Sequence, residues 1–383
     1  MNKLLAVYLG ISSAVANAAL MFAPILVGAM VYSRFTTNQA ITLISAELLA
    51  TAVVAFPALI WEARSKWQIC SRVSLVLILI CNLASAVTDG FFQLLILRVI
   101  TGMAEGVLLI LFLLVISQDD RPEKLFSGKL MVQMATGACG LGLFALLVPL
   151  WGVSSLYIVL ALAAALLLIP VSLLPNRNSD TINGSPKFSS RALKGLGAIA
   201  LLSLLLLGAG VNLVWTFLER IGSSHYISLE LLGMGLSLAV FVAIGGSMIC
   251  ARVGTAYGRF IPISIGLALG IIGCFILTLN ELSVGVFFAG ALMVSLARVI
   301  PIPYLFGCLA VLDEDKKLSI LSHVCLSTGM AIGPVLGLAI QHQVRYDMIG
   351  WVAAGLMLAV LIMAVRLTRI ARHKELALRA KPD

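Results

Sequence analysis

Long runs of uncharged, mostly apolar residues alternate with short polar segments along the whole chain. A helix needs about twenty apolar residues to cross the hydrocarbon core of a bilayer, and the runs reach that length repeatedly. The pattern predicts twelve membrane-spanning helices, over residues 4–33, 37–61, 73–88, 91–117, 129–149, 154–174, 195–218, 228–250, 260–279, 284–312, 318–341 and 348–366. The stretch from Leu130 to Asn176 carries no charge and is too long for one helix, so the chain is expected to turn back at Pro149–Gly152. Lys3 followed by an apolar stretch and Ala16-Asn17-Ala18 resembles a signal peptide with its cleavage site. The uncharged run nevertheless continues to Ser33, which fits an uncleaved first helix crossing with tilt.

Composition agrees with lipid as the main solvent: 61% of residues are hydrophobic and 11% charged, where soluble domains carry about 25% charged residues. The 26 Lys and Arg residues fix an orientation. With both termini cytoplasmic, Arg34, Arg220 and Arg345 fall outside, Arg98 and Arg298 lie within spans, and all the others lie inside. This is the asymmetry of the positive-inside rule, and it predicts a multi-pass protein of the cell inner membrane. The net charge of +9 does not imply nucleic acid as a partner, because the basic residues form short clusters without interleaved aromatics. The seven cysteines are scattered in apolar runs with no CxxC pair and no metal spacing, so neither a metal nor a cofactor is expected. No Walker sequence, HExxH helix or Ser/His/Asp elbow is present, and an enzyme is not expected.

The longest polar segment, 176–194, divides the chain near its midpoint. Features recur about 190 residues apart on either side of it. The basic loop around Arg64 is answered by Arg252 to Arg259, the charged loop at Asp119 by that at Asp313, and Thr136-Gly137 by Thr328-Gly329. The expected fold is an all-α membrane protein of twelve transmembrane helices in two pseudo-symmetric six-helix bundles, residues 1–175 and 195–366, with a cytoplasmic linker at 176–194 and a basic cytoplasmic tail at 367–383. Arg366 to Lys381 reads as an amphipathic tail on an anionic leaflet.

Arg98, Thr101 and Gly102 in the fourth span, together with Gly246 to Arg259 after the eighth, make the chain resemble the major facilitator superfamily over essentially its whole length. Trp61 to Lys66 resembles a degenerate first copy of the family's basic loop, lacking its Gly and Asp. Gly329, Gly333, Pro334 and Gly337 match the family pattern GxxxGPxxG, which drug–proton antiporters carry in span five; span five here has Gly137, Gly140 and Gly142 without the proline. The resemblance implies a secondary transporter of two halves, with Arg64, Arg252 and Arg259 in gating loops.

A charge inside a span costs several kcal/mol unless it faces water, a partner or a solute, which singles out Glu47, Arg98, Glu105 and Arg298. Arg98, Gly102 and Glu105 share one helical face at i, i+4 and i+7. At about 1.5 Å per residue, Arg98 and Glu105 are separated by roughly 10 Å along the axis and are not expected to pair directly. Counted from the equivalent loops, Arg298 is level with Glu105, which would put the two on opposite walls of a central cavity. Arg98 and Arg298 are candidates for holding an anionic group through a guanidinium fork, and Glu105 and Glu47 for carrying a proton. A structural or gating salt bridge between Arg298 and Glu105 is the alternative, and Glu47 has the further options of snorkelling or bonding to a neighbouring helix. Asn212, Trp215 and Glu219 share a face at i, i+3 and i+7, giving two further candidates for solute binding and one for proton coupling, against the alternative of an interfacial Trp with ordinary loop charges. Pro301 and Pro303 break the helical ladder beside Arg298, either as a gating hinge or as a static bend, with Tyr304 next in line for the solute. The glycines fit close helix packing, and His323 fits a helix end.

Together these readings describe an ion-coupled carrier, with the proton as the expected ion, for a small anionic or zwitterionic organic solute, acting as a monomer in the bilayer. A multidrug or metabolite efflux antiporter of the same fold is one alternative. A non-transporting receptor or assembly factor is the other.

Overall fold

The computed structural model describes residues 3–61, 66–117, 122–175, 195–312, 317–341 and 346–379. Among them every regular element is helical, as required of a backbone that must satisfy its own polar groups in lipid. The helices are α1 (Lys3–Val15), α2 (Ala18–Met21), α3 (Ala23–Ser33), α4 (Thr37–Trp61), α5 (Trp67–Val87), α6 (Phe91–Ser117), α7 (Pro122–Trp151) and α8 (Ser154–Leu167). They continue with α9 (Leu196–Ser224), α10 (Leu229–Val253), α11 (Phe260–Ile276), α12 (Val284–Val299), α13 (Pro301–Leu312), α14 (Lys317–Gln341) and α15 (Asp347–Arg379). Nine apolar helical stretches among the described residues are long enough to cross a membrane, α12 and α13 counting as one; α1, α3, α8 and α11 are shorter apolar helices.

Four local departures from the hydropathy pattern have physical causes. The first expected span is interrupted at Ala16–Asn17 and at Phe22. The Asn17 amide Nδ2 donates to the Ser13 carbonyl at 2.8 Å, a side-chain alternative to the helical ladder, and Pro24 cannot donate to the carbonyl four residues earlier. The span at 284–312 is cut at Ile300, and Pro301 opens the new helix. Pro170 sits in a 3₁₀ turn, Ile169–Leu173, that ends the sixth span. Finally, α15 runs on through residues 367–379, a helix of 33 residues in which Leu367 and Ala371 are still buried. The expected turn after Pro149 falls at Gly152, whose φ of +68° suits glycine.

The helices are apolar outward. On α5 the exposed residues include Ile69, Val73, Val76, Ile80, Leu83 and Val87, while Ser71, Ser74, Asn82 and Ser85 are buried. A soluble helix shows the opposite arrangement, so the side-chain pattern is that of a multi-pass membrane protein.

Two compact units emerge from the contacts. One gathers the described residues before position 186 with Gly222–Phe241, and the other gathers those from 195 to Ile221 and from Val242 onward. In the first unit α4 and α6 lie closest: a Cβ on Gly102 would collide with the Glu47 carbonyl, and one on Gly106 would come within 2.6 Å of the Thr51 carbonyl. The Thr51 hydroxyl bridges the pair, at 3.0 Å from the carbonyls of Glu47 and Gly102. The start of α10 also belongs here, through Ser237 Oγ donating to the Ala138 carbonyl at 2.7 Å. In the second unit α14 packs on α9 through Gly329, Gly333 and Gly337, which meet Leu205, Ala209 and Phe217. Gly273 on α11 meets Gly290 on α12 in the same close manner.

Candidate functional site

In the first unit, α4, α5, α6 and α8 converge on Arg98, 2% exposed. Its Nη1 donates to Glu47 Oε1 at 3.3 Å and to Asn82 Oδ1 at 3.3 Å. Its Nη2 donates to Ser85 Oγ at 2.6 Å and to Asn82 Oδ1 at 3.3 Å. The acceptors are themselves held: Asn82 Nδ2 donates to the Ile78 carbonyl at 2.9 Å and Ser85 Oγ to the Cys81 carbonyl at 2.6 Å. The guanidinium also stacks 4.6 Å from the Tyr157 ring centroid. A buried cation is tolerable when paired and hydrogen-bonded in this way.

Glu105 is equally buried, at 3% exposure. It interacts electrostatically with Glu47 and Arg98, but it forms no ion pair or hydrogen bond among the described residues. Glu47, a candidate for carrying a proton with the alternatives of snorkelling or bonding to a neighbouring helix, is the ion-pair partner of Arg98.

The second unit surrounds its arginine differently. Arg298, in the last turn of α12, is half-buried, with its guanidinium 5.5 Å from the centroid of the buried Trp215 ring. Among the described residues no carboxylate lies within ion-pair distance of it, and no side chain or carbonyl accepts its hydrogen bonds. The shared face on α9 divides into separate surroundings: Trp215 meets Arg298, the Asn212 amide donates to the Met330 carbonyl at 2.5 Å, and Glu219 holds Arg220 through two bonds of 2.6 Å. Tyr304 donates its hydroxyl to the Cys250 carbonyl at 3.2 Å. Pro301 packs its ring 2.8 Å from where a Cβ of Gly266 would stand, and Pro303 is exposed. In the loop after α10, Arg252 is exposed and Arg259 half-buried, its Nε 3.2 Å from a Cβ built on Gly307. Arg64 lies outside the described residues. Among the described residues no cluster of His, Cys, Asp or Glu could hold a metal ion.

Asn82, Ser85 and Tyr157 escaped the sequence reading. The first two carried a signal: polar residues at i and i+3 inside an apolar run, hence on one helical face. Tyr157 carried none.

No protein-family model and no curated protein sequence matches the chain. Solved structures do. The nucleoside transporter NupG superposes with a TM-score of 0.76 at 12% identity, over 95% of this chain and 99% of that one. A D-xylose–proton symporter gives 0.75 at 14% identity, over 94% of this chain and 96% of that one. A POT family transporter in complex with 5-aminolevulinic acid gives 0.72 at 13% identity, over 96% of both chains. The chain therefore shares the fold of these solved structures, with none of them singled out.

Proposed function

We propose that the chain is a proton-coupled secondary transporter that moves a small anionic or zwitterionic organic solute across the inner membrane by alternating access. In this reading it crosses the bilayer twelve times with both termini cytoplasmic, as two six-helix bundles at 1–175 and 195–366, and works as a monomer. The fold supports a transporter, and two of the similar structures are a proton symporter and a complex with a zwitterionic amino acid.

The observation that carries the coupling is that Glu47 and Glu105 are both buried and interact with one guanidinium, which pairs directly with Glu47 alone. A second buried carboxylate without a partner is costly, and a proton is the ion that neutralises it without needing further ligands. Arg98 then serves to position Glu47. Arg298, with no carboxylate partner among the described residues, is assigned to the anionic group of the solute, with Trp215 beside its guanidinium. Asn212 and Tyr304 shape the surrounding wall through their bonds to helix backbones, while Glu219 is held ready by Arg220. The break at Pro301 and the loop with Arg252 and Arg259 are assigned to gating.

Proteoliposomes with an internal pH dye test the reading. Solutes that stabilise the purified protein by mass action should move protons when added. Glu105→Gln should keep solute exchange and lose accumulation against a gradient; intact uphill transport by that variant rules Glu105 out as the proton carrier.

A further inference from the structure

The interrupted first span packs along α7 in parallel. Gly10 stands against Val132, Gly137 against Met21 and Gly140 against Phe22. Between these contacts both chains are polar: Ser13 and Asn17 flank the break, and Gln133 lies opposite. Gln133, Gly137 and Gly140 follow one another at i, i+4 and i+7, so Gln133 shares the face that meets α2 and Phe22. Gln133 is 8% exposed and Ser13 0% exposed, yet Gln133 Oε1 and Ser13 Oγ have no hydrogen-bond partner among the described residues. Asn17 uses its Nδ2 on the Ser13 carbonyl, which leaves its Oδ1 as a third acceptor. Buried polar atoms are ordinarily satisfied, and each exception needs an explanation. Helix breaks within transporter spans are where solutes bind. Lys129, one turn before Gln133 on α7, places its ammonium 5.9 Å from the centroid of the Phe126 ring.

We infer that Ser13, Asn17 and Gln133 form a neutral hydrogen-bonding subsite at the break of the first span, built for hydroxyl groups that both donate and accept, so that the solute is a polyhydroxylated compound. That this compound is transported rests on the function proposed above. The subsite itself stands on the first unit alone.

Three probes with the same six-carbon chain test it in a thermal-unfolding measurement on the purified full chain: gluconate, hexanoate and sorbitol. Gluconate and sorbitol should raise the melting temperature more than hexanoate. Gln133→Leu should raise the gluconate concentration for half-maximal shift by about tenfold, bringing gluconate to the level of hexanoate, while leaving the ligand-free melting temperature unchanged or higher. If the shifts depend on Gln133 but neither polyol is transported, the subsite stands and its role in transport falls. Equal shifts from gluconate and hexanoate in the wild type, or no shift from any probe, overturn the inference. So does a Gln133→Leu chain that melts lower yet still prefers gluconate. As a second readout, Gln133→Cys in a chain whose seven native cysteines are Ser should react with a water-soluble thiol reagent and be protected by gluconate; no reaction would mean a dry packing seam.

Discussion

Arg98 and Arg298 are the same residue type in corresponding expected spans, and their surroundings are opposite. Arg98 is almost wholly buried and meets a carboxylate, an amide, a hydroxyl and an aromatic ring. Arg298 is half-buried and meets an indole. A buried ion pair is a poor source of net stability, but breaking one by removing a single partner is strongly destabilising. A cation with no ion-pair partner among the described residues carries no such penalty when removed. The lesson is that an intramembrane charge by itself marks no role. Its partners do: Arg98 is built into the fold, and Arg298 is left available.

The largest expected effect tests the built-in half. Glu47→Ala strands the Arg98 guanidinium and should cost about 3–5 kcal/mol, read as a sharply lowered melting temperature and poor recovery of folded protein. Next comes Arg298→Ala, which should leave the melting temperature without solute near the wild-type value. It should also weaken binding of an anionic solute by about 1.5–3 kcal/mol, the worth of a hydrogen bond to a charged group, roughly ten- to hundredfold in affinity by titration. Asn82→Ala removes an acceptor facing both Nη atoms and should lower stability by about 1–3 kcal/mol, measurable by thermal unfolding, with solute affinity retained. The smallest effect is that of Trp215→Phe, which keeps a ring beneath Arg298 but weakens the cation–π contact. A loss of about 0.5–1 kcal/mol in solute binding is expected.

The membrane class and the helix intervals could be read from hydropathy because lipid imposes one rule on every span: a run of apolar residues long enough to cross. The breaks were less legible. Pro301 announced its own, since a missing N–H is a property of the residue. The interruption at Asn17 did not, because Ala16-Asn17-Ala18 reads equally as a cleavage signal and an asparagine inside a helix is often harmless. Legibility of the site followed the same division. Periodicity along α6 sufficed to deny Arg98 and Glu105 a direct pairing. Choosing Glu47 as a partner required the register of α4 against α6, which depends on where Gly102 and Gly106 let the backbones approach, and choosing Asn82 and Ser85 required that of α5. Such registers arise between helices and leave no periodic trace within one. The continuation of α15 through Arg379 was hidden for a related reason, because basic residues mark the membrane boundary without ending a helix.

The most direct test of the contrast between the two arginines is the melting temperature of Arg98→Gln and Arg298→Gln side by side, without solute. Arg98→Gln should melt far below the wild type, since it strands Glu47 and empties the centre of a hydrogen-bonded cluster, while Arg298→Gln should melt at or above it. Equal losses in both variants, or a larger loss in Arg298→Gln, would contradict the division into a built-in arginine and an available one.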